Sequence, residues 1–294
     1  MHNAARACAA LLLALAPPAI AQQSAPPAPG YVMPDTETWD MTSAAGETYR
    51  IFVSRPSGPP PADGLPVLYV LDGNALFAGF AEARRIQQER TPAIGQSIVV
   101  GIGYPTDKAY DTVRRTRDFT PALPTPRPIT QPGMAPEAAG GNDRFLAFLL
   151  ERVMPEIARR YRVDTSRQSL FGHSLGGLLA LHALYTRPNA FQAVVAASPS
   201  LWWNDQGLLA EERAFATRLA AGKLPRPPAR LMVLVGENEQ RYTNYIDAIA
   251  LAKRMEPLSA YGLRSRFAIL DGEDHMTVPS RAVTTTLRFV HAWP

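Results

Sequence analysis

The chain has 294 residues, 46% hydrophobic and 19% charged, with 30 Lys and Arg against 26 Asp and Glu for a net charge of +4. This balance belongs to a globular protein with a full core, and the scattered basic excess argues against a nucleic-acid surface or a basic membrane patch. The one cysteine is Cys8, so the rest of the chain offers neither a thiol nucleophile nor a thiolate metal site.

Residues 1–21 read as a secretory signal. Arg6 supplies the positive start, residues 9–16 form a short apolar stretch, and Ala19-Ile20-Ala21 gives the small-x-small pattern before Gln22. The apolar stretch is too short to span a bilayer, and Pro17-Pro18 would break a buried helix. The expectation is an exported protein, periplasmic or secreted, with no integral membrane segment in the mature chain. Residues 22–36, rich in Pro, Ala and Gln, read as a disordered linker, and 37–294 as one catalytic domain.

Eight apolar or alternating runs then predict strands at 38–42, 49–53, 67–71, 97–102, 169–171, 193–197, 231–235 and 266–270. Segments with helical spacing lie at 75–88, 143–161, 178–185, 208–219, 244–256 and 280–291. Strands alternating with helices predict βαβ units and a mainly parallel sheet flanked by helices, an α/β class. The first two runs are joined by a short turn at 44–47 and should form an antiparallel hairpin at one edge. A proline-rich insertion occupies about 106–140, with prolines at 121, 124, 126, 128, 132 and 136. It predicts a long loop, either a binding loop over a site or a surface insertion.

Gly172-His173-Ser174-Leu175-Gly176 fits G-x-S-x-G and stands between a predicted strand and a predicted helix. In that setting a serine on a sharp turn projects its hydroxyl above the sheet, the flanking glycines relieve crowding, and the helix N-terminus faces a developing oxyanion. Ser174 is therefore the candidate nucleophile and the Leu175 N–H a candidate oxyanion donor. A second donor is expected from the loop Leu71-Asp72-Gly73-Asn74-Ala75, at Gly73 or Asn74. The same loop also reads as an ordinary βα turn with Asn74 as helix N-cap.

A serine hydroxyl needs a base. His275, in the polar loop after the last predicted strand, is the histidine placed to reach it, since Ser, acid and His follow in that order in this strand–turn–helix arrangement. The acid should follow the strand at 231–235, in Gly236-Glu237-Asn238-Glu239-Gln240. Spacing from the glycine favours Glu239 over Glu237, and a Ser–His pair without an acid stays open. No histidines have metal-ligand spacing and no glycine-rich loop precedes a lysine, so neither a metal nor another cofactor is expected.

These residues resemble the putative esterase family of α/β hydrolases, and within it the siderophore esterases of the enterobactin and salmochelin type. The likeness is carried by 171–177, Ala197-Ser198-Pro199-Ser200-Leu201-Trp202, the 71–75 loop, Arg115-Thr116-Arg117-Asp118-Phe119-Thr120-Pro121, Gly140-Gly141-Asn142-Asp143-Arg144-Phe145 and Gly272-Glu273-Asp274-His275. It extends over about 37–292. It implies an α/β-hydrolase fold, metal-free ester hydrolysis through an acyl-enzyme, and Ser174 with His275 as the working pair. It also implies that 115–120 lies near the substrate mouth, where Arg115 and Arg117 could meet an anionic ligand.

Trp202 and Trp203 could stack on catechol rings or be core residues. The expected function is a serine esterase acting on a small-molecule ester, the trilactone of a ferric catecholate siderophore, for iron acquisition. The alternative is a general carboxylesterase or acyltransferase of the same fold.

Overall fold

The structure is a computed structural model that describes residues 31–89, 94–123, 134–224 and 230–291. Contacts divide the chain after Pro34. The signal expected at 1–21, and all but the end of the expected linker, lie outside the described residues, as does the middle of the proline-rich stretch.

From Asp35 onward, β1 (Thr36–Thr42) and β2 (Thr48–Ser54) precede β3 (Leu65–Leu71), α1 (Gly73–Gln87), β4 (Ile98–Gly103) and α2 (Thr112–Phe119). Next come α3 (Asn142–Phe148), α4 (Met154–Arg160), β5 (Val163–His173), α5 (Leu175–Thr186) and β6 (Ala193–Ala197). The short α6 (Trp203–Gln206), α7 (Leu209–Ala220), β7 (Arg230–Gly236), α8 (Thr243–Met255), β8 (Ser265–Leu270) and α9 (Val278–His291) complete the order.

The strands form one sheet in the order β1-β2-β4-β3-β5-β6-β7-β8. β1 pairs antiparallel with β2, and β2 antiparallel with β4, while the remaining pairs are parallel. The fold is thus a mainly parallel α/β sheet with an antiparallel N-terminal edge. Every residue of β3, β4 and β6 is buried, and strands covered on both faces read as unbroken apolar runs. β1 alternates and stays half-exposed.

β5 is longer than the apolar run that predicts it. Its polar first half pairs with β3 from Leu65 opposite Val163, but it is largely outside the core and carries no hydrophobic signal.

Two elements depart from the sequence reading. The helix expected over 143–161 is interrupted by a π turn, Leu149–Val153. Pro155 lies in the first turn of α4; it lacks an N–H and its ring clashes with the carbonyl four residues back, so the ladder widens ahead of it. Within the expected insertion, α2 forms after Asp111, whose carboxylate accepts the Arg114 N–H at 3.1 Å. Among the described residues no helix is long and apolar enough to cross a membrane.

The topology sets the site. The chain leaves β3 through α1 to β4 on one side, then crosses to β5 on the other. The strand order therefore switches direction between β3 and β5, and it is outside the carboxyl ends of strands at such a switch that open α/β sheets bind ligands.

Candidate active site

β5 ends at His173, and the backbone turns at Ser174 with φ 58° and ψ −118° before α5 begins. A non-glycine residue in that region stores strain, held here by the surrounding contacts. The Ser174 N–H donates to the Ala197 carbonyl at 2.9 Å, and its own carbonyl accepts from Leu178 and Ser200 at 3.0 and 3.1 Å. The turn tolerates no side chain at Gly172, where a Cβ would lie 2.0 Å from the Gly176 carbonyl oxygen. At Gly176 a Cβ would make only ordinary contact, 3.5 Å from Leu71. The crowding expected at both flanking glycines falls on the first of them.

His275 Nε2 stands 3.0 Å from Ser174 Oγ, and His275 Nδ1 stands 2.8 Å from Glu239 Oε2. The carboxylate fixes the tautomer: Nδ1 carries the proton toward Glu239, which leaves Nε2 to accept from the serine hydroxyl. Asp274 holds the histidine loop in place by accepting the N–H groups of Met276 and Thr277 at 2.8 and 3.2 Å. The ring of buried His173 lies 4.6 Å from that of His275. Burial holds His173 well below the ordinary histidine range, and the charge of Arg115 pulls the same way, so a neutral ring backs His275.

Glu239 is fully buried on the turn after β7. Burial alone would raise its carboxyl, but hydrogen bonds from His275, the Ser198 hydroxyl and the Gly236 N–H hold it below its ordinary value. Ser198 donates at 2.5 Å and Gly236 at 2.9 Å. Of the two acids left open by the sequence, Glu239 meets His275. Glu237 turns away and accepts the Gly272 N–H at 2.8 Å.

Leu175 opens α5 and Gly73 opens α1, so the N–H groups of Leu175, Gly73 and Asn74 all lie at helix N-termini. The N-cap of α1 is Asp72, in the left-handed region at φ 54°. The reading of Asn74 as N-cap is therefore corrected: the residue lies within the first turn of α1, and its side chain clamps the end of β4. It donates to the carbonyls of Tyr104 and Thr106 at 3.0 and 2.9 Å and accepts the Tyr104 N–H at 2.8 Å.

The two arginines expected at the substrate mouth are both committed elsewhere. Arg115 is buried, with Nε and an Nη at 2.9 and 3.0 Å from the two carboxylate oxygens of Asp72. Arg117 bonds Asp118 at 2.8 Å and Glu47 at 2.7 Å. It lines a cavity of about 420 Å³ with Glu47, Tyr49 and Phe145, whose walls do not include Ser174 or His275. Each arginine is thus paired: Arg115 with Asp72, and Arg117 with Asp118 and Glu47. Trp203 is a core residue whose indole N–H donates to the Pro121 carbonyl at 3.2 Å. Trp202 is half-buried beside it, after the carboxyl end of β6.

Four further residues at the site had no role assigned from sequence. Ser198 donates to Glu239, and Ser200 Oγ lies 3.3 Å from Ser174 Oγ. Asn244, at the start of α8, donates to the Ser198 carbonyl at 3.4 Å and lies 3.3 Å from His275 Nδ1. The fourth is Asp72. The Ala-Ser-Pro-Ser run was the available signal for the two serines and the 71–75 loop that for Asp72; Asn244 had none.

Comparison with known proteins agrees with this architecture. The model of the family described as Putative esterase matches residues 42–278. The ferri-bacillibactin esterase BesA of Bacillus subtilis is 38% identical over 265 residues, covering 88% of this chain and 90% of that protein. The siderophore triacetylfusarinine C esterase of Aspergillus fumigatus is 36% identical, covering 89% and 95%. The crystal structure of the BES protein from Bacillus cereus superposes with a TM-score of 0.80 at 34% identity, over 91% of this chain and 98% of that one.

Proposed function

The chain belongs to the Putative esterase family, and on that premise we propose that it is an exported serine esterase that opens the trilactone backbone of catecholate siderophores through an acyl-enzyme. The observation that carries the reading is the line Ser174–His275–Glu239, at 3.0 and 2.8 Å. Relatives named as esterases of ferri-bacillibactin and of the siderophore triacetylfusarinine C support a siderophore ester as the substrate. Export rests on the pattern at residues 1–21, and N-terminal sequencing of the exported protein should begin at Gln22.

In this reading His275 Nε2 takes the proton of the Ser174 hydroxyl as the oxygen attacks an ester carbonyl. The imidazolium that forms is stabilised by Glu239, which stays ionised. The oxyanion sits against the Leu175 N–H and those of Gly73 or Asn74, where fixed donors need no reorganisation as charge develops. His275 then protonates the departing alkoxide. Water, deprotonated by the same nitrogen, attacks the acyl-serine and releases the hydroxy acid. Trp202 offers a half-exposed aromatic face near the site to a catechol ring.

The test is hydrolysis of a ferric enterobactin-type lactone and of a short-chain p-nitrophenyl ester by the wild type and Ser174→Ala. The variant should lose about 10³-fold or more in kcat on both substrates, and the wild type should favour the lactone in kcat/KM. Wild-type rates from Ser174→Ala would overturn the mechanism. A preference for the simple ester would overturn the siderophore assignment and leave a general carboxylesterase.

A further inference from the structure

Aspartate is among the best helix N-caps, because its carboxylate accepts an N–H of the first turn. Asp72 occupies that position at the start of α1 yet makes no side-chain cap. Its carboxylate is instead held bidentately by Arg115, 43 residues along the chain on α2. Arg115 is itself fixed, with its guanidinium carbon 5.4 Å from the Tyr110 ring centroid and 5.7 Å from that of Phe119. Both partners are buried, with side-chain exposures of 8% for Arg115 and 1% for Asp72.

The carboxylate is also close to the second helix of the site. Asp72 Oδ2 lies 3.6 Å from where a Cβ on Gly176 would stand, in the first turn of α5. A negative group thus sits beside the two helix N-termini that face the proposed oxyanion. Those positive ends would attract it. Released, it could swing onto the Gly73 and Asn74 N–H groups and fill the place the oxyanion needs.

The geometry points to Arg115 as a positioning residue of ester cleavage: it withholds the Asp72 carboxylate from the N-terminus of α1 and so keeps the Gly73 and Asn74 N–H groups open to the oxyanion. The inference rests on the serine-esterase reading above. It also explains why an arginine in the stretch expected to meet substrate faces inward. Its charge neutralises a carboxylate that would otherwise compete with the transition state.

The test compares p-nitrophenyl butyrate hydrolysis by the full chain carrying Arg115→Met alone and Arg115→Met with Asp72→Gly, glycine taking the left-handed backbone without strain. Rates are expressed per folded molecule, with the folded fraction taken from circular dichroism. Arg115→Met should lower kcat by about 10²-fold, the scale of losing one oxyanion donor, with KM changed less than about threefold. The double variant should recover at least about tenfold over the single one, because the competing carboxylate is gone. A folded double variant no faster than Arg115→Met would overturn the inference, since a pair that only braced the loop would not be rescued by removing its second half.

Should Arg115→Met fail to fold, the double variant leaves no unpaired buried charge and is read alone. A kcat within about thirtyfold of wild type supports the inference, and a deeper loss overturns it. Ser174→Ala keeps the two readings apart: an active Ser174→Ala protein refutes the nucleophile, whereas an inactive one with no rescue in the double variant refutes only the role of Arg115.

Discussion

Glu239 reaches His275 from a fully buried position, its Oε2 2.8 Å from the Nδ1 atom, while its other oxygen is held by Ser198 and Gly236. The carboxylate therefore has one orientation, and it sets both the tautomer and the tilt of the imidazole. Glu239→Gln keeps the shape but removes the charge and lets the amide favour the wrong tautomer. The expected result is a fall in kcat of about 10²- to 10⁴-fold with little change in KM. A variant within about twofold of wild type would mean that Ser174 and His275 act without the acid.

The same carboxylate links activity to acid stability. Its folded value lies below the ordinary 4.5 because its hydrogen bonds from His275, Ser198 and Gly236 outweigh burial. The stabilisation is present above the unfolded value and is lost as pH falls through the lower folded one. Between those two values, unfolding free energy in Glu239→Gln should fall less steeply with decreasing pH than in the wild type, as read from urea midpoints. Parallel curves would show that the carboxylate does not titrate with folding.

His291 adds a second acid-sensitive group. Buried at the end of α9, it has no hydrogen-bond partner on either ring nitrogen among the described residues. Burial first, and then the charges of Arg167, Arg230 and Arg84, lower it from 6.5 to about 3. The unfolded chain binds this proton and the folded chain does not, so stability falls as pH drops below 6.5. The loss continues down to about 3, at roughly 1.4 kcal/mol per pH unit. His291→Leu should remove about one proton from the pH dependence of the urea midpoint. An unchanged slope would show that the histidine is already protonated in the fold.

The two motif glycines make a direct test of the turn at Ser174. Gly172→Ala would put a methyl group 2.0 Å from the Gly176 carbonyl oxygen, which only a shift of the main chain could relieve. Gly176→Ala meets Leu71 at 3.5 Å and Asp72 Oδ2 at 3.6 Å, ordinary contacts. Gly172→Ala should therefore lower the melting temperature by several degrees or abolish soluble expression, while Gly176→Ala stays within a few degrees of wild type. Equal effects would mean that the turn relaxes more readily than its packing implies.

How far the sequence could be read follows from where each signal comes from. β3, β4, β6 and β7 were legible because both faces are buried and the runs are apolar throughout. α2 was not, because much of its buried face is polar or charged: Arg115, Thr116 and Asp118 lie beside Phe119, so hydrophobic periodicity has nothing to register. Ser174, His275 and Glu239 could be named from their order along the chain and from local turn chemistry, both of which are readable without the fold. Ser198, Asn244 and Asp72 act through partners 41 to 46 residues away, and no local pattern announces such a contact. The same limit hides the partners of Arg115 and Arg117: a charged side chain in a loop-like stretch shows no carboxylate until the fold supplies one.

Arg117 shows what such a pairing means for an experiment. Its guanidinium joins Asp118, which is nearly buried, to Glu47 in the β1–β2 turn. Burial raises the Asp118 carboxyl despite Arg117, which pulls the other way with help from Tyr49 and Arg114. Removing the guanidinium leaves a largely desolvated carboxylate with fewer partners, a loss of about 1–3 kcal/mol. Arg117→Met should therefore lower the urea midpoint while leaving KM for an anionic ester within about twofold of wild type. A substrate contact predicts the reverse, a KM raised tenfold or more at unchanged stability, and that result would return Arg117 to the binding site.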